Sequence, residues 1–166
     1  MKSALSKSLF ILSAAAILFL TSSCNKTIFD ETRTFANDTW MRFSPEKFEV
    51  NAPSTEDCYN FVVTLTIDTN IFHEAGLPII LEIANPENET RTMFATLLFR
   101  NHEGTVLGHL DENGNLVITQ TVREYYFFNT TGIHHISLSQ RTSKYEIHGI
   151  KQLNLHIEKS KLDYPD

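Results

Sequence analysis

"YNFVVTLTID", residues 59–68, sets Phe61, Val63, Leu65 and Ile67 on one side of an extended chain and Val62, Thr64, Thr66 and Asp68 on the other. A period of two is the signature of a strand with one face against a core. Working outward, the same period recurs. "LPIILEIANP" (77–86) aligns Ile79, Leu81 and Ile83. "NLVITQTVREYYFF" (115–128) alternates through to Phe128, "HHISLSQ" (134–140) aligns Ile136 with Leu138, and "QLNLHIEK" (152–159) aligns Leu153, Leu155 and Ile157. "TRTMFATLLF" (90–99) alternates more weakly and is partly apolar on both sides, which predicts a central or doubly covered strand.

Turn chemistry separates these runs. Pro86 has no N–H to give a ladder, so Asn85 to Asn88 ends a strand. Asn113-Gly114 inside "DENGN" (111–115) is a pair suited to the positive φ of a hairpin. Gly132 and Gly149 each stand before a strand. "TNIFHEAG" (69–76) offers at most one helical turn. Seven to nine short strands with this spacing predict an all-β fold, an antiparallel β-sandwich of jelly-roll-like form.

Ahead of the strands, Leu9 to Leu20 is an unbroken apolar or small run. It falls short of the ~20 residues a spanning helix needs. Lys2 and Lys7 precede it, and Thr21-Ser22-Ser23 then Cys24 follow, the layout of a secretory leader whose cleavage exposes a cysteine. Bacterial lipoproteins acylate that cysteine. Leu20 stands one place earlier than the usual leucine. The expected organisation is a removed leader at 1–23, a lipidated Cys24 with a tether to 36, and one sandwich domain over 37–166. A first strand is able to begin near Thr34-Phe35. Two or more lipid chains give stable anchoring where one does not. The expected location is therefore the cell envelope, lipid-anchored to a membrane and facing the periplasm or the cell surface. Cys58 is then left without a partner in the chain, and reads as a small buried hydrophobe.

Losing Lys2 and Lys7 from the 14 basic residues leaves 12 against 20 acidic ones, a formal charge of −8 on the mature chain. That balance excludes nucleic acid as a partner, since phosphate contact needs clustered Lys and Arg. The chain's 12 Phe and five Tyr favour strands.

No catalytic constellation is visible. There is no G-x-S-x-G elbow, and Ser137 and Ser139 beside His135 make no triad by adjacency alone. His134, His135, His148 and His156 fall late in the chain without metal-ligand spacing. His135 and His156 both point away from the core sets, and would meet only if their strands paired. "DENGN" lacks the sixth-position Gly and twelfth-position Glu of an EF-hand loop. No cofactor and no metal are expected, and the protein reads as a non-enzyme. In Tyr125-Tyr126-Phe127-Phe128, strand alternation sends two rings inward and two outward. Tyr125 and Tyr126, with Trp40, are the candidate surface for a protein partner or a sugar ring. A lone tryptophan in a sandwich is more commonly core.

From Trp40 to Lys159 the chain resembles the gliding-motility lipoprotein GldH family of the Bacteroidetes. The residues that carry the likeness are Gly132, Ile136, Leu138, Gln140 and Arg141, then Ile147, Gly149, Ile150, Leu153, Leu155, Ile157, Glu158 and Lys159. Upstream, Asn37 to Trp40 fits an N-x-x-W pattern, and Gly104 and Gly108 a G-x-x-x-G pattern. Leu107 stands where the family commonly has Trp, His134 where it has Tyr, and "IFHEAGLPIIL" replaces Y-P-Y-x-N-L. The resemblance implies a lipoprotein of the envelope machinery of gliding and associated secretion, with other envelope proteins as partners and no catalytic residues to transfer. A carbohydrate-binding surface lipoprotein is the alternative.

Overall fold

The computed structural model describes residues 27–160. Eleven strands run in chain order: β1 (Thr27–Thr34), β2 (Thr39–Met41), β3 (Glu46–Ala52), β4 (Cys58–Ile67), β5 (Gly76–Ala84), β6 (Thr90–Leu98), β7 (His109–Leu110), β8 (Leu116–Phe127), β9 (Gly132–Gln140), β10 (Glu146–His148) and β11 (Ile150–Lys159). One sheet has the order β1-β11-β4-β8-β7, the second β3-β9-β5-β6, and β2 and β10 form a small ribbon of their own. With β2, β7 and β10 set aside, the chain crosses between the two main sheets at every connection except the β5–β6 hairpin. All pairings are antiparallel. This is the expected sandwich, with jelly-roll connectivity.

The period-two runs fill its interior. Phe61, Val63, Leu65 and Ile67 of β4 face Ile79, Leu81 and Ile83 of β5, and Leu153, Leu155 and Ile157 lie beside them, all at most 1% exposed. Burial of each such side chain contributes about 1.5–3 kcal/mol. Cys58 is free and buried, as a small hydrophobe would be. The turns also form where expected. Asp111 Oδ1 accepts from the amides of Asn113 and Asn115 at 2.9 and 2.8 Å, closing the β7–β8 hairpin with Gly114 at φ +78°.

Three expectations are corrected. The segment taken as a tether contributes β1, which pairs with β11 from Thr27↔Glu158 to Thr34↔Gln152. Its alternation was hidden because β1 is an edge strand, and only Ile28 and Phe29 pack against the core. β6 is not central but the edge of its sheet. Its outward Phe94 is 63% exposed, with the Arg141 guanidinium 4.6 Å from the ring centroid, so the apolar outer side of this strand faces solvent and not a second layer. Finally, β9 and β11 belong to different sheets, so His135 and His156 do not meet. His135 lies beside Glu49 and His156 beside Asp30.

Side chains close the two flanks of the sandwich. At β1–β3, Arg33 Nη2 donates to the Lys47 carbonyl at 2.8 Å, while the guanidinium lies 4.9 Å from the Phe48 ring and pairs with Glu31. At β6–β8, Gln120 engages the backbone of Leu98.

Candidate functional site

Strand registers give the sandwich two unlike ends. Thr27, Ala52, Cys58, Ala84, Thr90, Phe127, Gly132 and Lys159 all terminate strands at one end, the proximal end, joined by short connections at 53–57, 85–89 and 128–131. The opposite, distal end carries the long connections: 35–45 with β2, 68–75, 99–115, and 141–149 with β10.

The distal end is built on Trp40. This ring is fully buried, stacked on Phe35 at 5.2 Å, and its strand pairs Trp40 with Ile147. Gly149 locks the junction. Its N–H donates to the Asp38 carbonyl at 2.8 Å, and its own carbonyl accepts from Asp68 N–H at 2.8 Å. A Cβ at Gly149 would lie 3.1 Å from the Phe72 amide nitrogen, and φ is +88°, so the position calls for glycine.

On that platform stand two exposed rings. Phe43 is 74% exposed and Tyr145 62%, with centroids 5.9 Å apart, and Arg42 is 5.4 Å over Phe43. Arg42 N–H donates to the Tyr145 carbonyl at 2.8 Å, so the two turns that hold these rings are hydrogen-bonded together. Beside them is a cleft of about 590 Å³ between the 71–78 segment and the 141–148 segment. Lys144 Nζ bridges it to Glu74 Oε1 at 2.6 Å, and this hydrogen bond holds the Glu74 carboxyl below its ordinary range. A neighbouring cleft of about 490 Å³ lies between the 67–74 segment and 99–116, with Val106 and Leu110 exposed along it. Aromatic rings beside a cleft lined by His73, Glu74, Arg141 and Lys144 make a mixed surface suited to protein contact.

The residues expected to form a ligand surface are placed apart. Trp40 is core. Tyr126 is buried, edge-on to Phe61 at 5.3 Å and to Phe128 at 5.1 Å, and burial pushes its phenol upward in pKa. Tyr125 alone is on the surface, in a bulge with φ +51° whose amide donates to Asn60 Oδ1 at 3.1 Å. Alternation through Tyr125–Phe128 thus sends Tyr126 and Phe128 in, Tyr125 and Phe127 out. Cys24 lies outside the described residues. Ser137 donates to Glu82 at 3.2 Å rather than to a histidine. Among the described residues no group of three His, Cys, Asp or Glu is placed to hold a metal ion. Phe43 and Tyr145 carry no periodic signal in the sequence, since each is a solitary aromatic in a turn. An aromatic among Ser44, Pro45, Ser143 and Lys144, where no core pattern demands it, is the one signal available.

Fold and surface together define a jelly-roll β-sandwich protein with an aromatic, cleft-bearing distal end. Residues 27–157 match the family model for GldH lipoprotein, and the chain belongs to the GldH lipoprotein family. Membership brings the family's character with it: a gliding-motility lipoprotein, membrane-anchored in the cell envelope. No curated protein sequence matches the chain. Among solved structures it is similar to a fructofuranosidase from Schwanniomyces occidentalis complexed with fructose, at 10% identity and TM-score 0.37, covering 81% of this chain and 34% of that one. The β-fructofuranosidase of the same organism complexed with fructosyl-erythritol aligns at 9% identity and TM-score 0.38, over 86% and 35%. The chain spans about a third of the length of these structures, and so weak a likeness transfers no chemistry.

Proposed function

We propose that the protein is a non-enzymatic component of an envelope assembly, acylated at Cys24 after loss of residues 1–23. In this reading it holds a partner protein of the gliding or secretion-associated machinery at its distal end. The observation that carries it is the exposed Phe43–Tyr145 pair beside a cleft, at the end opposite Thr27. Solvent-facing rings on hydrogen-bonded turns have no role in the core, and aromatic residues with arginine are the side chains enriched at protein interfaces. Sugar stacking is less well supported, because of Trp40, Tyr125 and Tyr126 only Tyr125 offers a ring to solvent.

Photo-crosslinking in intact cells tests this. A photoreactive phenylalanine at Tyr145 is expected to capture another envelope protein, and the same group at Lys47, on the flank, is not. The Cys24→Ala chain, freed from the membrane, is expected to lose the adduct. Equal capture from both positions, or none from Tyr145 in the anchored protein, would refute the reading.

A further inference from the structure

We infer that the proximal end of the sandwich rests on the bilayer interface through Tyr125, Phe127 and Ile133, and so holds the domain upright. This rests on the proposed acylation of Cys24. Cys24 precedes Thr27 by three peptide steps, a reach of at most about 11 Å. Thr27 opens β1 in the row of Glu158, and Phe127 stands opposite Cys58 in the last row of the same sheet. A lipid on Cys24 therefore brings this end, and no other, to the membrane.

What that end presents fits such contact. Tyr125 is 49% exposed, Phe127 43% and Ile133 50%, the first at the bulge near the end of β8 and the other two within β8 and β9. Alternation directs Tyr125 and Phe127 to the outer face of one sheet, and Ile133 to the outer face of the other, so they flank the proximal end on both sides. Aromatic rings with a polar tip or edge partition to the headgroup region. The charges nearby are mixed and mainly acidic: Glu56, Asp57, Glu87, Glu89, Glu124 and Glu158 against Arg91, Arg123 and Lys159, with Lys159 Nζ 2.6 Å from Asp57 and Arg91 beside Tyr126. No basic cluster draws this end to anionic lipid, so the contact is chiefly apolar and only weakly sensitive to salt. Lipid chains already supply the affinity, so the side chains supply orientation. β11, ten residues long, then stands Phe43 and Tyr145 about 30 Å above the surface.

The test uses the full lipidated protein in phosphatidylcholine vesicles containing a lipid spin-labelled near the headgroup. Trp40 is the chain's one tryptophan, buried at the distal end, and gives a constant background. Phe127→Trp is expected to lose most of its added emission to the quencher, at low and high salt alike, and Phe43→Trp to lose none. Tyr125→Trp is the second reporter should Phe127→Trp fold poorly. Protein that floats with the vesicles while neither proximal reporter is quenched, or while Phe43→Trp is quenched equally, overturns the orientation and leaves the anchor standing. A full-length protein that emerges from the cell envelope without acyl chains on Cys24, or a Cys24→Ala chain that floats as well as the wild type, overturns the anchor and the orientation with it.

Discussion

Gln120 of β8 treats Leu98 of β6 as a neighbouring strand would: its Oε1 accepts from the Leu98 N–H at 3.1 Å and its Nε2 donates to the Leu98 carbonyl. A side-chain amide has the donor and acceptor of a peptide unit, so one residue stitches the edges of two sheets that share no ladder. Gln120→Ala frees both groups to water at this half-exposed seam, and is expected to cost about 1 kcal/mol. Gln120→Glu keeps the acceptor but sets a carboxylate against the Leu98 carbonyl, and should cost more. Urea unfolding orders the variants, and hydrogen exchange at the Leu98 amide should quicken in Gln120→Ala. Unchanged exchange there would show that the seam is not held by this pair.

Gly149 and Gly104 both have positive φ, yet they predict different outcomes. A Cβ at Gly104 meets nothing within 4 Å, so Gly104→Ala carries only the left-handed backbone cost of about 1 kcal/mol. At Gly149 the added carbon also presses on the backbone of Phe72 and the Cβ of Ile71, each at 3.1 Å. Gly149→Ala is expected to cost about 2–3 kcal/mol and to loosen the 68–72 turn. Thermal unfolding of the two variants, run side by side, checks the difference.

Lys151 ties β11 to the turn before β2. Its Nζ donates to Asp38 Oδ2 at 2.6 Å and lies 3.8 Å from Asp68 Oδ2, and the hydrogen bond to Asp38 is the main cause that raises its pKa. The sign follows. A folded-state pKa above the unfolded one means stability that is fully present below the unfolded value, about 10.4 for lysine, and lost as pH rises through the folded value. The wild-type protein should therefore lose more stability than Lys151→Met as pH rises above about 10.4. Asp30 gives the acid counterpart. Its carboxyl is held low chiefly by the hydrogen bond from Asn154, which outweighs the opposing effect of burial, with His156 lowering it further. Its contribution is present above the ordinary carboxylate value and fades as pH falls through the lowered one. Asp30→Asn should flatten that acid limb, and denaturation midpoints across pH measure both.

The core was legible because burial on one face imposes a period of two, and β4, β5, β9 and β11 are buried on one face. Their inward sets are those the sequence aligned. β1 and β6 misled for opposite reasons. As an edge strand, β1 shows too little apolar alternation to stand out, whereas β6 shows too much, because its outward Phe94 and Leu98 stay exposed, with the Arg141 guanidinium over the Phe94 ring. That contact comes from a distant connection, and no local window contains it. The aromatic run at 125–128 was read correctly in its alternation, but the pairing of Tyr126 with Phe61 is what assigns the inward side. Phe43 and Tyr145 lie about a hundred residues apart, and only the β2–β10 ribbon makes them one feature.

That ribbon allows the interface to be separated from the fold. Phe43 and Tyr145 touch each other and solvent, so removing either ring subtracts little from the core. Phe43→Ser and Tyr145→Ser are each expected to shift stability by less than about 1 kcal/mol. Trp40→Ala, one strand position from Met41 and fully buried, is expected to cost about 3–5 kcal/mol. If the distal end binds a partner, the two serine variants, with the photoreactive residue moved to the neighbouring exposed Ser143, lose crosslinked adduct and motility or secretion output while the folded, acylated protein accumulates normally. Trp40→Ala loses the same outputs only because the protein disappears. Immunoblots of membrane fractions beside the crosslinking assay distinguish these cases. Full adduct in the Phe43→Ser, Tyr145→Ser double variant would place the partner's contact elsewhere on the sandwich.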